Sequence, residues 1–110
     1  MNRPIFIAVP AGDVALIEEM QRELAQYGTI RPAPANFRDI NTVKLVLEIA
    51  GQAVAIAGGV AGILTYLQNT RDRARAAGTR TGVALNKPGQ PVVLLDDADD
   101  ALLRQLIVGD

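Results

Sequence analysis

The sequence feature that most constrains the fold is a long central stretch without proline or charge. No proline occurs in residues 40–77, and residues 49–70 contain no Asp, Glu, Lys or Arg. Its apolar part runs from Ile49 to Leu67 and reads IAGQAVAIAGGVAGILTYL. As an α-helix this part would span about 28 Å, close to the ~30 Å hydrocarbon thickness of a bilayer. We therefore expect residues 40–77 to form a long Gly/Ala-rich helix, or a helical hairpin, that protrudes from the domain.

Small residues recur at four-residue spacing within this stretch. They form two series, Gly58 with Gly62, and Ala53 with Ala57 and Ala61. Small residues four apart let another helix approach closely. That surface fits packing on the chain's own sheet, and it equally fits association between helices of different subunits or contact with a membrane. A continuous helix over residues 40–77 would measure about 57 Å, against about 35 Å for a globule of this size, which favours self-association.

The composition excludes several classes of function. The chain has 110 residues, with 11 basic and 12 acidic side chains and neither His nor Cys. This length predicts one domain over residues 1–110. A net charge of −1 lacks the basic footprint of nucleic-acid binding. Without His or Cys there is no zinc-finger ligand set and no Ser–His or Cys–His pair. We expect no enzyme activity, no cofactor, no metal and no nucleic-acid partner.

The flanks of the central stretch carry strand and helix patterns. Before it we expect a strand from Pro4 to Val9, a helix that Asp13 caps, and a short strand from Thr29 to Arg31, as a β-α-β unit with parallel strands. After it we expect two strands over residues 81–86 and 91–95, joined by a turn at Pro88-Gly89, and a final helix. The predicted fold class is α+β, in the order β-α-β-α-β-β-α, with a mixed sheet of about four short strands.

The alternation of apolar residues in these elements predicts the core. The strand residues expected there are Ile5, Ile7, Val9, Val83, Leu85, Val92 and Leu94, and the helix residues are Leu16, Met20 and Leu24.

Two charged clusters follow the central stretch. Arg71, Arg73 and Arg75 at its exit fit contact with anionic lipid or another anion, or a solvated helix end that complements the helix dipole. The carboxylates are Asp96, Asp97, Asp99 and Asp100. Because their spacing matches no EF-hand loop, we expect them to cap the final helix, with Asp97 as its N-cap.

The order of segments resembles a known family. A leading strand (IFIAV), an amphipathic helix, the segment RPAPA, the Gly/Ala-rich stretch, the exit RDRARAAGTR, a hairpin and a Leu-rich helix follow one another. This order resembles the effector-associated constant component family of bacterial conflict systems. The resemblance implies a small accessory component that is encoded beside variable effectors, including proteases, and it implies no catalytic residues.

Two functions are consistent with these patterns. In the first, the chain is a non-enzymatic accessory component of a bacterial defence system that forms homo-oligomers through its central helix and works with a separate protease or other effector. In the alternative, it is a membrane-active, pore-forming effector that inserts the segment from Ile49 to Leu67. The N-terminal residues lack the apolar run of a secretory signal, so we expect a cytoplasmic location, with or without association with the inner membrane.

Overall fold

The computed structural model describes residues 4–33, 41–48 and 59–108. The first part of the chain forms β1 (Pro4–Pro10), α1 (Val14–Leu24), β2 (Thr29–Pro32) and β3 (Thr42–Glu48). The second part forms α2 (Gly59–Ala76), β4 (Ala84–Asn86), β5 (Val93–Leu94), a single 3₁₀ turn (Leu95–Asp97) and α3 (Asp100–Val108). Helices and one sheet in this arrangement make the chain an α+β protein, as predicted.

The sheet has five strands in the order β2-β3-β1-β4-β5. All strand pairs in the described ranges are antiparallel, and β1 pairs with β3 along its whole length, from Pro4 opposite Glu48 to Pro10 opposite Thr42. The prediction of a mixed sheet with about four strands is therefore wrong. β1 and β2 do run in the same direction, since both are antiparallel to β3, but β3 lies between them. The first six elements of the described ranges thus have the order and strand arrangement of a split β-α-β, or ferredoxin-like, fold.

The predicted helix over residues 40–77 is wrong for the segment that forms β3. Thr42, Val43 and Val46 are β-branched, and pairing with strands on both sides satisfies the backbone of this segment. Residues 49–58, which include more than half of the predicted apolar helix, lie outside the described residues. The described helix in this region, α2, would measure about 27 Å, within the 34 Å extent of the molecule.

The core lies on one face of the sheet, under all three described helices. β1 contributes Ile5, Ile7 and Val9, which alternate with residues on the other face. The helix residues buried against them are Met20 and Leu24 of α1, Ile63, Leu64 and Leu67 of α2, and Leu103, Leu106 and Ile107 of α3. The predicted core residues Ile5, Ile7, Val9, Val83, Leu85, Met20 and Leu24 are buried, and Leu16 packs partly buried against them.

Two of the predicted core residues face outward. Val92 is 58% exposed and Leu94 is 46% exposed. The register explains the error: Leu94 lies opposite Ala84 on the outer face, whereas Val93 lies opposite the buried Leu85. Because β5 is only two residues long, the 3₁₀ turn that follows brings Leu95 into the core instead.

The predicted hairpin turn is confirmed. The Gln90 N–H donates to the Lys87 carbonyl at 3.0 Å, and Gly89 adopts a φ of 82°. Proline followed by a glycine with positive φ is the arrangement of a type II turn. Residues other than glycine rarely adopt the positive φ that this turn requires at its third position. This turn sets β4 and β5 side by side at one edge of the sheet.

Candidate functional site: the open face of the sheet

The face of the sheet opposite the core carries an apolar strip that crosses the strands. Phe6 and Ala8 alternate with the buried residues of β1, and the register places Ala84 beside Ala8 and Leu94 beside Ala84. The described helices bury the opposite face; on this side Phe6, Ala8 and Ala84 are half-buried, and Val46 of β3, beside Phe6, is only 4% exposed. Isolated exposed apolar residues are ordinary, but a contiguous apolar patch commonly marks an interaction surface. We name the face formed by β1, β3, β4 and β5 on this side the open face.

A groove of about 270 Å³ lies in the open face. Its lining residues are Phe6, Ala8, Lys44, Ala84, Asn86 and Val92. This volume is slightly below the ~300–1,000 Å³ of typical small-molecule sites. Because the groove is also open and lined mainly by apolar side chains, it suits one or two side chains of a protein partner better than a cofactor.

Lys44 is the charged residue of this groove. It lies half-buried on β3, opposite Ala8, and its side chain makes no hydrogen bond or ion pair within the described ranges. The carboxylate four residues along the same strand, Glu48 beyond Val46, binds Arg31 at 2.8 Å instead. Among its described residues, the open face therefore carries one unpaired positive charge at the side of its apolar strip.

The predicted helix-assembly residues divide into two groups. Ala53, Ala57 and Gly58 lie outside the described residues. Ala61 is exposed near the start of α2, and Gly62 is half-buried. A Cβ at Gly62 would overlap the ring of Tyr27, which packs there from the turn after α1. The close approach that glycine permits at this position is thus used within the chain, against Tyr27 and not against the sheet.

The arginines at the end of α2 contact other elements of the fold. Arg73 pairs with Glu19 of α1 at 2.9 Å, and Arg75 donates to the Asp96 carbonyl at 3.0 Å. The Arg71 side chain is only 5% exposed. Burial of Arg71 does not fit the predicted contact with lipid or a free anion.

Arg71 joins α2 to the start of α3. Its guanidinium donates to the Ala98 carbonyl at 2.9 Å and to the Asp100 carboxylate at 2.7 Å, and its Nε donates to Asp72 at 3.0 Å. The bond to the Asp72 carboxylate favours the charged form, and the bond to Asp100 adds to it. Together they outweigh burial and raise the pKa of Arg71.

The four aspartates of the C-terminal cluster have separate structural roles. Asp99, not Asp97, caps α3, because its carboxylate accepts from the Leu102 N–H at 2.7 Å. Asp97 pairs with Arg80 at 3.1 Å, and Asp100 pairs with Arg71. Within the described ranges, no group of three or more acidic side chains is arranged to hold a metal ion. Capping and ion pairing account for this cluster.

Asp96 fixes the segment that enters β4. Its carboxylate accepts from the Thr81 N–H at 2.8 Å, the Thr81 hydroxyl at 3.1 Å and the Gly82 N–H at 3.0 Å. Burial alone would raise the pKa of Asp96, but these three bonds and the nearby Arg80 outweigh it and hold the pKa below its ordinary value. Gly82 has a φ of 70°, which lets its N–H reach the carboxylate.

A second depression lies between α1 and α2. Two adjoining hollows of about 440 and 600 Å³ share Glu23, Tyr66 and Asn69 in their lining. The carboxylates here are engaged, Glu19 by Arg73 and Glu23 by the Gln26 amide at 3.0 Å. Burial raises the pKa of the Tyr66 phenol, and the Thr70 hydroxyl and Arg73 oppose the increase. Since its carboxylates already have partners within the chain, this depression offers a binding partner less than the open face does.

The residues of the open face are not among the predicted site residues, although the alternation of β1 indicates them. Phe6 and Ala8 alternate with Ile5, Ile7 and Val9, which already implies a second apolar face of β1. Lys44 falls within the helix predicted over residues 40–77, so the sequence does not predict its position on a strand between apolar neighbours.

Comparisons with known proteins identify no relative of this chain. No family model, no curated protein and no solved structure matches the chain. Among the helices that the structure describes, none combines the length and the apolar character needed to cross a membrane.

Proposed function

We propose that this chain is a non-enzymatic interaction module that works with a separate effector protein and contacts it through the open face of its sheet. The observation that carries this proposal is the contiguous strip of Phe6, Ala8, Ala84 and Leu94, with Val92 at its edge, on the face opposite the described helices. Burial of such a strip against a partner removes apolar surface from water and so favours association.

The internal use of the charged residues supports a non-enzymatic role. The arginines of the α2 exit and the four aspartates near α3 hold elements of the fold together. A general acid or base must be able to reach a substrate, usually in a cleft that shifts its pKa. Asp96 has a shifted pKa, but its carboxylate is consumed by three internal hydrogen bonds.

The proposal that the partner is an effector protein depends on the resemblance in segment order to the effector-associated constant component family. A constant accessory component needs a surface that is separate from its core and can bind another protein, and the open face meets that need. Self-association through residues 53–62 is a separate proposal. In the described part of this segment, Gly62 packs against Tyr27 and Ala61 is exposed, so any assembly there would use the side of α2 that carries Ala61.

The experiment co-expresses the chain with the effector encoded beside it and measures complex formation by size-exclusion chromatography with light scattering. Val92→Glu places a charge on the open face and should abolish the complex. Val14→Glu is the matched control, because Val14 is 56% exposed and lies at the start of α1, away from that face. Loss of the complex with Val14→Glu but not with Val92→Glu would contradict the proposal.

A liposome leakage assay tests the alternative that the chain is a membrane-active effector. Dye leakage from anionic liposomes that Val60→Arg abolishes would support insertion of the central segment, since an arginine at the centre of a membrane helix costs about 2.5–3.5 kcal/mol on insertion scales.

A further inference from the structure

We propose that the groove of the open face recognises an extended partner segment in which a carboxylate and an apolar side chain lie two residues apart. The carboxylate would pair with Lys44, and the apolar side chain would lie against Phe6, Ala84 and Val92, which line the same groove. This inference rests on the proposed function and specifies the chemistry of the partner at the same surface.

The charges on the open face favour a partner that supplies a carboxylate. On the outer side of β2 and β3, Arg31 and Glu48 neutralise each other, which leaves Lys44 as an uncompensated charge among the described residues of this face. The whole chain has a net charge of −1, so the positive charge here is local. Lys44 is half-buried as a residue and lines a mainly apolar groove, where the local dielectric is lower than in open water, so a carboxylate placed there gains more from the pair.

The geometry of the sheet gives the spacing. Lys44 on β3 and Ala84 on β4 both lie beside Ala8 of the intervening β1, so their backbones are about 10 Å apart at ~4.8 Å per strand. Both residues line the groove. In an extended segment, side chains two residues apart lie on the same side and about 7 Å from each other, so a carboxylate and an apolar side chain at this spacing fit within the distance between the two backbones.

The same charge disfavours a second copy of this chain as the occupant. Two open faces packed together would bring two unpaired Lys44 side chains into one interface, and an unpaired charge is costly to bury. A partner segment that supplies a carboxylate removes this cost. The groove volume of about 270 Å³ also fits short side chains better than a whole helix.

The test uses the full chain and three acetylated, amidated pentapeptides. The first is Ser-Glu-Ser-Leu-Ser, the second replaces Glu by Gln, and the third replaces Leu by Ser. Binding is followed by amide chemical-shift changes in nuclear magnetic resonance spectra. We expect the first peptide to shift amides of β1, β3 and β4, and the loss of its carboxylate to weaken binding about tenfold, the value of one charge-assisted hydrogen bond.

Variants of the chain identify the residue responsible. Lys44→Gln should remove the preference for the Glu peptide over the Gln peptide, and Lys44→Arg should keep it. Arg104→Gln is the matched control, since it changes the net charge equally at an exposed position on α3. An unchanged urea midpoint verifies that each variant is folded. A preference that survives Lys44→Gln, or equal binding of all three peptides, would overturn the inference.

The outcome is distinguishable from failure of the proposed function. If Val92→Glu abolishes the complex with the effector while Lys44→Gln leaves its affinity and salt dependence unchanged, the open face is the binding surface and the carboxylate inference is wrong. If neither variant affects the complex, both proposals are wrong. If both variants weaken it, and Lys44→Gln also reduces its salt dependence, both are supported.

Discussion

At the scale of single residues, Asp96 holds together segments that are far apart in sequence. Its side chain is 7% exposed, and its three hydrogen bonds fix the turn at Thr81 and Gly82 that leads into β4. An ionised carboxylate that accepts several backbone hydrogen bonds is strongly stabilised in its charged form. The entry of β4, and with it the edge of the open face, thus depends on the ionisation of one residue.

Asp96→Asn should therefore destabilise the protein in a pH-dependent way. The pKa of Asp96 is lowered in the folded state, so its contribution is present above its ordinary pKa near 3.8 and is lost as the pH falls through the lower folded value. We expect a loss of about 2 kcal/mol at pH 7 and a smaller loss at pH 3. Urea denaturation of both proteins at the two pH values measures this. An equal difference at pH 7 and pH 3 would show that ionisation of Asp96 does not stabilise the fold.

Leu85 and Leu94 lie on neighbouring strands and face opposite sides of the sheet. Leu85 is completely buried, whereas Leu94 is 46% exposed. Leu85→Ala should cost about 2–5 kcal/mol, the usual range for a buried leucine, and Leu94→Ala should cost clearly less. The free energies of unfolding from urea titrations give the comparison. A greater loss for Leu94→Ala would mean that the register of β5 is shifted by one residue.

At the scale of elements, the contacts of α2 differ along its length. Its first turns bury Ile63, Leu64 and Leu67, and the same side then continues through Thr70 and Arg71. The buried stripe follows helical spacing, but it ends in a charged residue because Arg71 meets the carbonyl and carboxylate groups at the start of α3. The position of α3 therefore depends on a polar contact as well as on its own leucines.

Arg71→Ala and Arg73→Ala test how much this contact contributes. Arg71 is buried but its partners Asp72 and Asp100 are largely exposed, so its removal leaves no buried charge behind. We expect a loss of about 1–3 kcal/mol for Arg71→Ala, and at most about 1 kcal/mol for Arg73→Ala, which breaks a surface ion pair. Urea unfolding in buffers of low and high salt gives both values. Equal effects of the two variants would place Arg71 at the surface.

The contact between α2 and the end of α1 is steric. Gly62→Leu should displace the ring of Tyr27 and cost about 1–3 kcal/mol, as overpacking usually does. Tyr27→Ala in the same chain should recover part of that loss, because it removes the clashing ring. A double-mutant cycle of thermal or urea unfolding gives the coupling. Additive effects would show that Gly62 is needed for another contact, such as helix assembly between subunits.

The elements that the sequence predicts correctly are those with strong local signals. Asp13 caps α1, with its carboxylate accepting from the Leu16 N–H at 3.2 Å, and the Pro88-Gly89 turn joins β4 to β5. The sequence does not predict β3, because the absence of proline from residues 40–77 and the apolar run that follows β3 outweigh its β-branched residues. Tertiary pairing with β1 and β2 decides its conformation, and this pairing is not visible in a local pattern. The candidate site was missed for the same reason, since its residues come from separate strands.

At the scale of the whole molecule, the core and the proposed binding surface lie on opposite faces of the sheet. All three described helices and the inner side of the sheet form one apolar cluster. The open face lies on the other side of the same strands, so alternate residues of β1 serve the core and the proposed interface. Substitutions such as Val92→Glu should consequently change binding with little change in the free energy of unfolding, as expected for exposed positions.

The central proposal is that the open face binds a separate effector protein. The most direct measurement is the change in backbone amide chemical shifts of the isotope-labelled chain when the proposed effector partner is added. If the open face binds the partner, the largest chemical-shift changes should lie in β1, β4 and β5 and in the amides next to Lys44. The amides of α1 and α3 should change little. Changes confined to the helices, or none at saturating effector, would contradict it.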